Sequence, residues 1–155
     1  MIITAIKTEK VLSKSTALTA LLDHHLKQFS ENSILVITSK VVALCEGRVV
    51  PLAKIKESTL KAEADYYLPK EKSRYGVALT IKDNTFIARA GMDASNTGGY
   101  YSLLPKDSYT TAKKVRAYLV KRFGIKHVGV IVVDSHSSPL RRGVTGVAIG
   151  WSGFH

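Results

Sequence analysis

The run His127-Val128-Gly129-Val130-Ile131-Val132-Val133 narrows what this chain can fold into more than any other stretch. It is apolar and β-branched, which predicts a buried strand. The run stops at Asp134-Ser135 and gives way to a polar, basic turn, Ser137-Ser138-Pro139-Leu140-Arg141-Arg142-Gly143. In open α/β sheets, ligands sit beyond the carboxyl ends of strands. An acid at such an end, with a hydroxyl beside it and two arginines behind, suits a metal and a phosphate. A second acid has a similar setting in Ala90-Gly91-Met92-Asp93-Ala94-Ser95-Asn96.

The rest of the pattern places strands and helices around that run. Residues 2–8 read as a first strand, and residues 33–38 as a second, short apolar one. Leu18, Leu21, Leu22, His25, Leu26 and Phe29 recur at helical spacing, with Ser15 or a neighbour as cap. Residues 41–45 fit helix or strand equally well. Glu46-Gly47-Arg48 reads as a turn, and Val49-Val50 as a short extended piece that Pro51 interrupts. Leu60, Ala64, Tyr67 and Leu68 predict a helix that Pro69 ends. Residues 76–81 and 85–90 predict a hairpin around Lys82-Asp83-Asn84. Asp107 or Ser108 caps a helix carrying Ala112, Val115, Leu119 and Phe123, and Gly124 stops it. Residues 144–149 read as a last strand. The class is mixed α/β (α+β): a mixed sheet with flanking helices.

The chain has 155 residues, which fits one domain spanning 1–155. Its apolar runs are far shorter than the ~20 residues that a membrane helix needs. Lys7, Glu9 and Lys10 occupy the place of a signal's apolar stretch, so no export signal is expected. The single cysteine, Cys45, excludes an internal disulfide and a cysteine-based metal cluster. A cytoplasmic setting follows by default, and no membrane partner is expected. The formal charge of +11 favours anionic partners. The lysines are scattered rather than blocked, however, and no aromatic residues interleave with them as in single-strand binders. Nucleic acid is therefore the last-ranked partner.

Two constellations carry chemistry, and each has a plainer alternative. The glycines flanking residues 92–97 free the backbone for close approach to a ligand, and Asp93 supplies a hard oxygen. The same composition also makes an exposed Asx turn. Asp134 after an apolar run costs burial energy unless a cation compensates it, with Ser135 as a second ligand. The alternative is an Asp that caps a following turn. Arg141 and Arg142 suit bidentate contact with phosphate or carboxylate, or form a solvated turn. Ser39-Lys40, closing the strand over 33–38, could touch a nucleotide or simply begin a helix. His24, His25, His127, His136 and His155 show no metal-ligand spacing, His136, two residues after Asp134, being the one of interest, and there is no phosphate-binding glycine loop or dinucleotide fingerprint.

Taken in order, Ile37-Thr38-Ser39-Lys40-Val41-Val42 with Glu46-Gly47-Arg48, Ala90-Gly91-Met92-Asp93-Ala94-Ser95-Asn96, Leu103-Leu104-Pro105, Val130-Ile131-Val132-Val133-Asp134-Ser135, Arg141-Arg142-Gly143 and Val147-Ala148-Ile149-Gly150 form an ordered set. That set resembles the coenzyme F420-0:L-glutamate ligase family, the γ-glutamyl ligases of deazaflavin biosynthesis. The resemblance covers nearly the whole chain. It implies a ligase that uses GTP and Mg²⁺ or Mn²⁺ to join L-glutamate to an anionic acceptor through an acyl phosphate, and that works as a homodimer. By the same resemblance, Asp93, Asp134 and Ser135 match metal ligands, Ser135 standing where the family usually has Thr. Asn96, Ser39 and Lys40 match nucleotide contacts, and Thr8, Glu9, Lys10 and Val11 align with a nucleotide-binding segment. Arg141 and Arg142 are assigned to phosphate or substrate contact.

Two departures qualify what the resemblance implies. The family places a nucleotide-contacting Lys at or next to Leu44. It also continues past His155, so the chain is expected to lack the family's C-terminal portion, with another metal ligand and a nucleotide-binding stretch. A non-catalytic nucleotide- or metal-binding module of the same fold is the second reading. The third, a nucleic-acid binder, rests on charge alone.

Overall fold

The structure, a computed structural model, describes residues 1–11, 16–74, 76–83, 85–95, 97–137 and 140–154. The expected cap Ser15, the turn residue Asn84 and the nucleotide-contact candidate Asn96 lie outside them.

The chain runs α1 (Leu18–His25), β1 (Ser33–Thr38), α2 (Ser39–Glu46), β2 (Val49–Pro51), α3 (Glu57–Glu63), β3 (Tyr66–Leu68), β4 (Leu79–Lys82), β5 (Thr85–Ala88), β6 (Tyr100–Ser102), α4 (Ser108–Phe123), β7 (Val128–His136) and β8 (Thr145–Ser152). The apolar run of residues 127–133 becomes the central strand of a mixed sheet, in the order β1-β7-β8. β1 lies parallel to β7, with Thr38 opposite Val133, and β8 lies antiparallel to it. β2 pairs with β6, and β3-β4-β5 form an antiparallel meander. The mixed α/β class expected from the sequence is what forms.

One sheet face carries the core. Leu35 and Ile37 of β1, Val128, Val130 and Val132 of β7, and Ala112, Val115 and Leu119 of α4 join one buried cluster with Leu22, Leu26 and Val42. These alternate along the strands and recur at three and four residues along the helix, so each element presents one apolar face. The Asp107 carboxylate caps α4 by accepting from the Thr110 N–H at 2.8 Å. Gly124 ends α4 with φ of 65°.

Several expectations fail where a partner distant in sequence, or the lack of one, overrides local pattern; α1 ends at His25, so Leu26 and Phe29 of the expected helix lie beyond it. Residues 2–8 form no strand: residues 1–10 are exposed, and no described strand pairs with them. β7 does not stop at Asp134 but continues to His136, because β8 supplies ladder partners for Asp134, Ser135 and His136. α3 ends at Glu63, and Tyr66–Leu68 become β3, drawn onto β4 with Tyr66 opposite Ile81. The short extended piece at Val49-Val50 forms as β2 and stops at Pro51 as expected, where a missing N–H is tolerated. The ambiguous residues 41–45 are helical, inside α2.

Glu63 ties the meander to the remainder of the fold. Its carboxylate accepts from Arg48 Nη2 at 2.5 Å and from Lys82 Nζ at 3.3 Å. Burial pushes its carboxyl pKa up, but the Arg48 and Lys82 cations outweigh burial and hold it below the ordinary value. A depressed folded pKa means that the pair stabilises the fold above the unfolded value, about 4.3. That contribution disappears as pH falls through the folded value. Glu63→Gln is expected to cost about 1–3 kcal/mol at neutral pH and to flatten the acid limb of a plot of melting temperature against pH. An unchanged acid limb would refute the network's role.

Candidate active site

The carboxyl ends of β1 and β7 open into a cavity of about 570 Å³. Its wall includes Asp93, Asp134, Lys40 and the N-terminal residues Thr8, Glu9, Lys10 and Val11. Asp93 and Asp134 are remote in sequence, yet consecutive residues of α2 hold them. Ser39 Oγ donates to Asp134 Oδ1, and Lys40 Nζ donates to Asp93 Oδ2 at 2.5 Å. The link is geometric: Thr38 ends β1 beside Val133 of β7, so the first turn of α2 begins next to Asp134.

A strained turn brings Asp93 there. Arg89, Ala90 and Gly91 all have positive φ, at 54°, 52° and 73°. For the two non-glycines this costs of order 1–3 kcal/mol each, and surrounding contacts must hold it. Ala90 is buried, and its N–H donates to Thr80 Oγ1 at 2.8 Å. Asp93 then pairs with Ser102 through two backbone hydrogen bonds of 3.1 and 2.8 Å. The turn reverses the chain after β5 and delivers the carboxylate to Lys40.

Asp93 also forms the Asx turn that its composition allowed. Ser95 N–H donates to Asp93 Oδ1, and Ser95 Oγ to Oδ2, both at 2.7 Å. Lys40 Nζ reaches Ser95 as well, at 2.7 Å to its hydroxyl and 2.9 Å to its carbonyl. Ser95 is thus a cradle residue that sequence reading passed over, although its place two residues after an Asp was a signal. Burial pushes the Asp93 carboxyl up, but Lys40 and the two Ser95 donors outweigh it and hold it below the ordinary range.

Asp134 differs. Among the described residues no cation pairs with it, and the Ser39 hydroxyl is its side-chain partner. A half-buried carboxylate without a cation, bonded to a serine hydroxyl and lining the same cavity as a second carboxylate, contributes to a hard all-oxygen donor set. The residues fit Mg²⁺ or Mn²⁺. Asp134 and Ser135 are consecutive in an extended strand, so their side chains leave on opposite faces. Both border the cavity, but they reach it from different directions.

The remaining candidates divide. Thr8, Glu9, Lys10 and Val11 border the same cavity, although not as part of a strand. Arg141 and Arg142 are exposed in the loop between β7 and β8 and do not border it, whereas Ser137 and Val144 of that loop do. Leu44 lies four residues after Lys40 on the same face of α2 and forms an apolar wall.

The chain is similar to proteins of one known family. A family model described as F420-0:Gamma-glutamyl ligase matches residues 5–155. The chain belongs to the F420-0:Gamma-glutamyl ligase family. A Coenzyme F420:L-glutamate ligase of Methanococcus maripaludis is 36% identical over 139 residues, covering 79% of this chain and 56% of the relative. The enzyme of the same name from Methanopyrus kandleri is 31% identical over 143 residues, covering 81% and 56%. That of Halobacterium salinarum is 31% identical over 147 residues, again covering 81% and 56%. The chain therefore matches little more than half the length of these curated relatives of the γ-glutamyl ligase family. Among the described residues no helix is long and apolar enough to cross a membrane.

Proposed function

We propose that this chain carries the nucleotide- and metal-binding part of a GTP-dependent γ-glutamyl ligase. One observation bears most of the weight: Ser39 and Lys40, adjacent at the start of α2, grip Asp134 and Asp93 on one cavity wall. The reaction in view transfers the γ-phosphoryl group of GTP to an acceptor carboxylate, releasing GDP. The amine of L-glutamate then attacks the acyl carbon, forming the amide as phosphate leaves. The bound divalent cation would neutralise charge on the transferring group.

Each residue has a part in this reading. Asp93 and Asp134 hold cations, and Ser135, on the opposite strand face, serves a separate cation position. Ser39 orients Asp134. Lys40 moves between Asp93 and a phosphate oxygen. α2 points its N-terminal end into the cavity with no acid in its first turn, and the Thr38 side chain makes no capping hydrogen bond. Free N–H groups and the positive end of the helix dipole favour a phosphate there. Thr8, Glu9, Lys10 and Val11 flank the nucleotide, with Asn96 as a further contact. Arg141 and Arg142 meet the outer end of a phosphate or of the anionic acceptor. The half-exposed Ile34 and Val36 on the outer face of β1 suit cover by a second copy, as in a homodimer. A cytoplasmic setting follows from the GTP requirement.

Calorimetry with Mn²⁺ and GTP tests the reading. GTP is expected to bind only with the cation present. Lys40→Met is expected to weaken GTP about tenfold or more, the worth of one charge-assisted hydrogen bond. Mn²⁺ alone should bind no more weakly to that variant, because the ammonium group no longer occupies Asp93. Unaltered GTP affinity would sink the assignment of Lys40.

Leu44 supports the second reading, a binding module without catalysis, because an apolar wall stands where the resemblance calls for a lysine. Metal-dependent GTP binding without phosphate release, with glutamate and any acceptor, would select that reading.

A further inference from the structure

Three ligand-type side chains meet beside the N-terminal segment, apart from Asp93 and Asp134. Glu9 Oε2 lies 3.2 Å from His25 Nε2 and 3.9 Å from His24 Nε2. One ligand atom from each residue falls within 4.8 Å of the other two. The two imidazoles sit edge to face, with centroids 4.6 Å apart and planes at 78°. Neighbouring residues on a helix diverge by about 100°, so two rings turned toward one carboxylate form a specific arrangement.

His25 Nε2 adds a second observation. It is buried and has no hydrogen-bond partner, although the Glu9 carboxylate is within reach. An unsatisfied buried polar atom costs roughly 1–3 kcal/mol. A metal ion that accepts the imidazole lone pair removes that cost. The pair also closes α1, where the negative end of the helix dipole favours a cation.

We infer that Glu9, His24 and His25 form a site for a borderline divalent metal of the Zn²⁺ class. Two imidazoles and a carboxylate, with a fourth position open to water, are a zinc donor set. They differ from the all-oxygen set of Asp93 and Asp134, so the two sites select different ions. The structural consequence falls on residues 1–11, which have no strand partner yet contribute Thr8, Glu9, Lys10 and Val11 to the cavity wall. A metal bridging Glu9 to the end of α1 clips that segment in place. The inference stands on these three side chains and does not require the ligase reading.

Chelator-treated protein titrated with Zn²⁺ by calorimetry, and with Co²⁺ followed by visible absorption, tests it. One equivalent of Zn²⁺ is expected at micromolar affinity, with the intense absorption of four-coordinate Co²⁺. The His24 side chain is 68% exposed, so His24→Gln leaves the fold intact. His24→Gln and Glu9→Gln should each weaken Zn²⁺ by at least about tenfold. Zn²⁺ should also slow hydrogen exchange in residues 1–11. Asp134→Asn should keep the Zn²⁺ site. Millimolar affinity, affinity unmoved by the Glu9 and His24 variants, or loss of Zn²⁺ on Asp134→Asn would each overturn the site. The first two outcomes would leave a plain carboxylate–imidazole contact, and the last would assign the ion to Asp134.

Discussion

Asp134→Asn is expected to abolish cation-dependent GTP binding while leaving the fold in place. Asn matches Asp in shape, and its Oδ1 still accepts from Ser39, so the side chain keeps its partner. What disappears is the charge. Asp134 has no cationic partner among the described residues, so no compensating group is left stranded. The melting temperature should stay within about 2 °C of the parent's. Cation-dependent GTP affinity, read by calorimetry, should fall by at least about a hundredfold, or about 2.8 kcal/mol. The contrast with Asp93 is instructive, because Asp93→Asn would also strand the Lys40 ammonium. Unchanged Mn²⁺-dependent binding in Asp134→Asn would remove Asp134 from the metal site.

Gly150→Ala is expected to damage the fold far more than Gly129→Ala. Both glycines lie in the β1-β7-β8 sheet. A Cβ on Gly150 would stand 2.4 Å from the Ser108 carbonyl carbon and 2.6 Å from its oxygen. Those are backbone atoms of the first residue of α4, which the Asp107 cap anchors. Gly150 itself is fixed in the ladder opposite Val132. Neither side can yield, so a cost of about 3 kcal/mol or more is expected, lowering the melting temperature by roughly 6–12 °C. A Cβ on Gly129 would meet Phe154 Cζ at 2.5 Å, but that ring is 41% exposed and free to swing aside. Gly129→Ala should change stability by less than about 1 kcal/mol. Equal costs in denaturant unfolding would show that α4 does not pack on β8 as closely as described.

What the sequence by itself determined is local. β1 forms over the expected residues because an apolar, β-branched run is bounded by polar ones. α4 forms because its apolar spacing, the Asp107 cap and Gly124 all agree. The ordered motifs around Asp93 and Asp134 pointed to the family that the chain proves to belong to. Tertiary structure decided everything that needs a distant partner. β8 carries β7 past Asp134, β4 pulls Tyr66–Leu68 out of a helical pattern, and residues 2–8 pair with no described strand. Gly129 and Gly150 look alike in sequence, and only the atoms facing them set them apart. The site follows the same division. The acids were visible as acids, but Ser39 reaches across 95 positions and Lys40 across 53 to hold them. Periodicity and caps are written in adjacent residues, whereas contacts over such separations exist only once packing has closed the intervening loops.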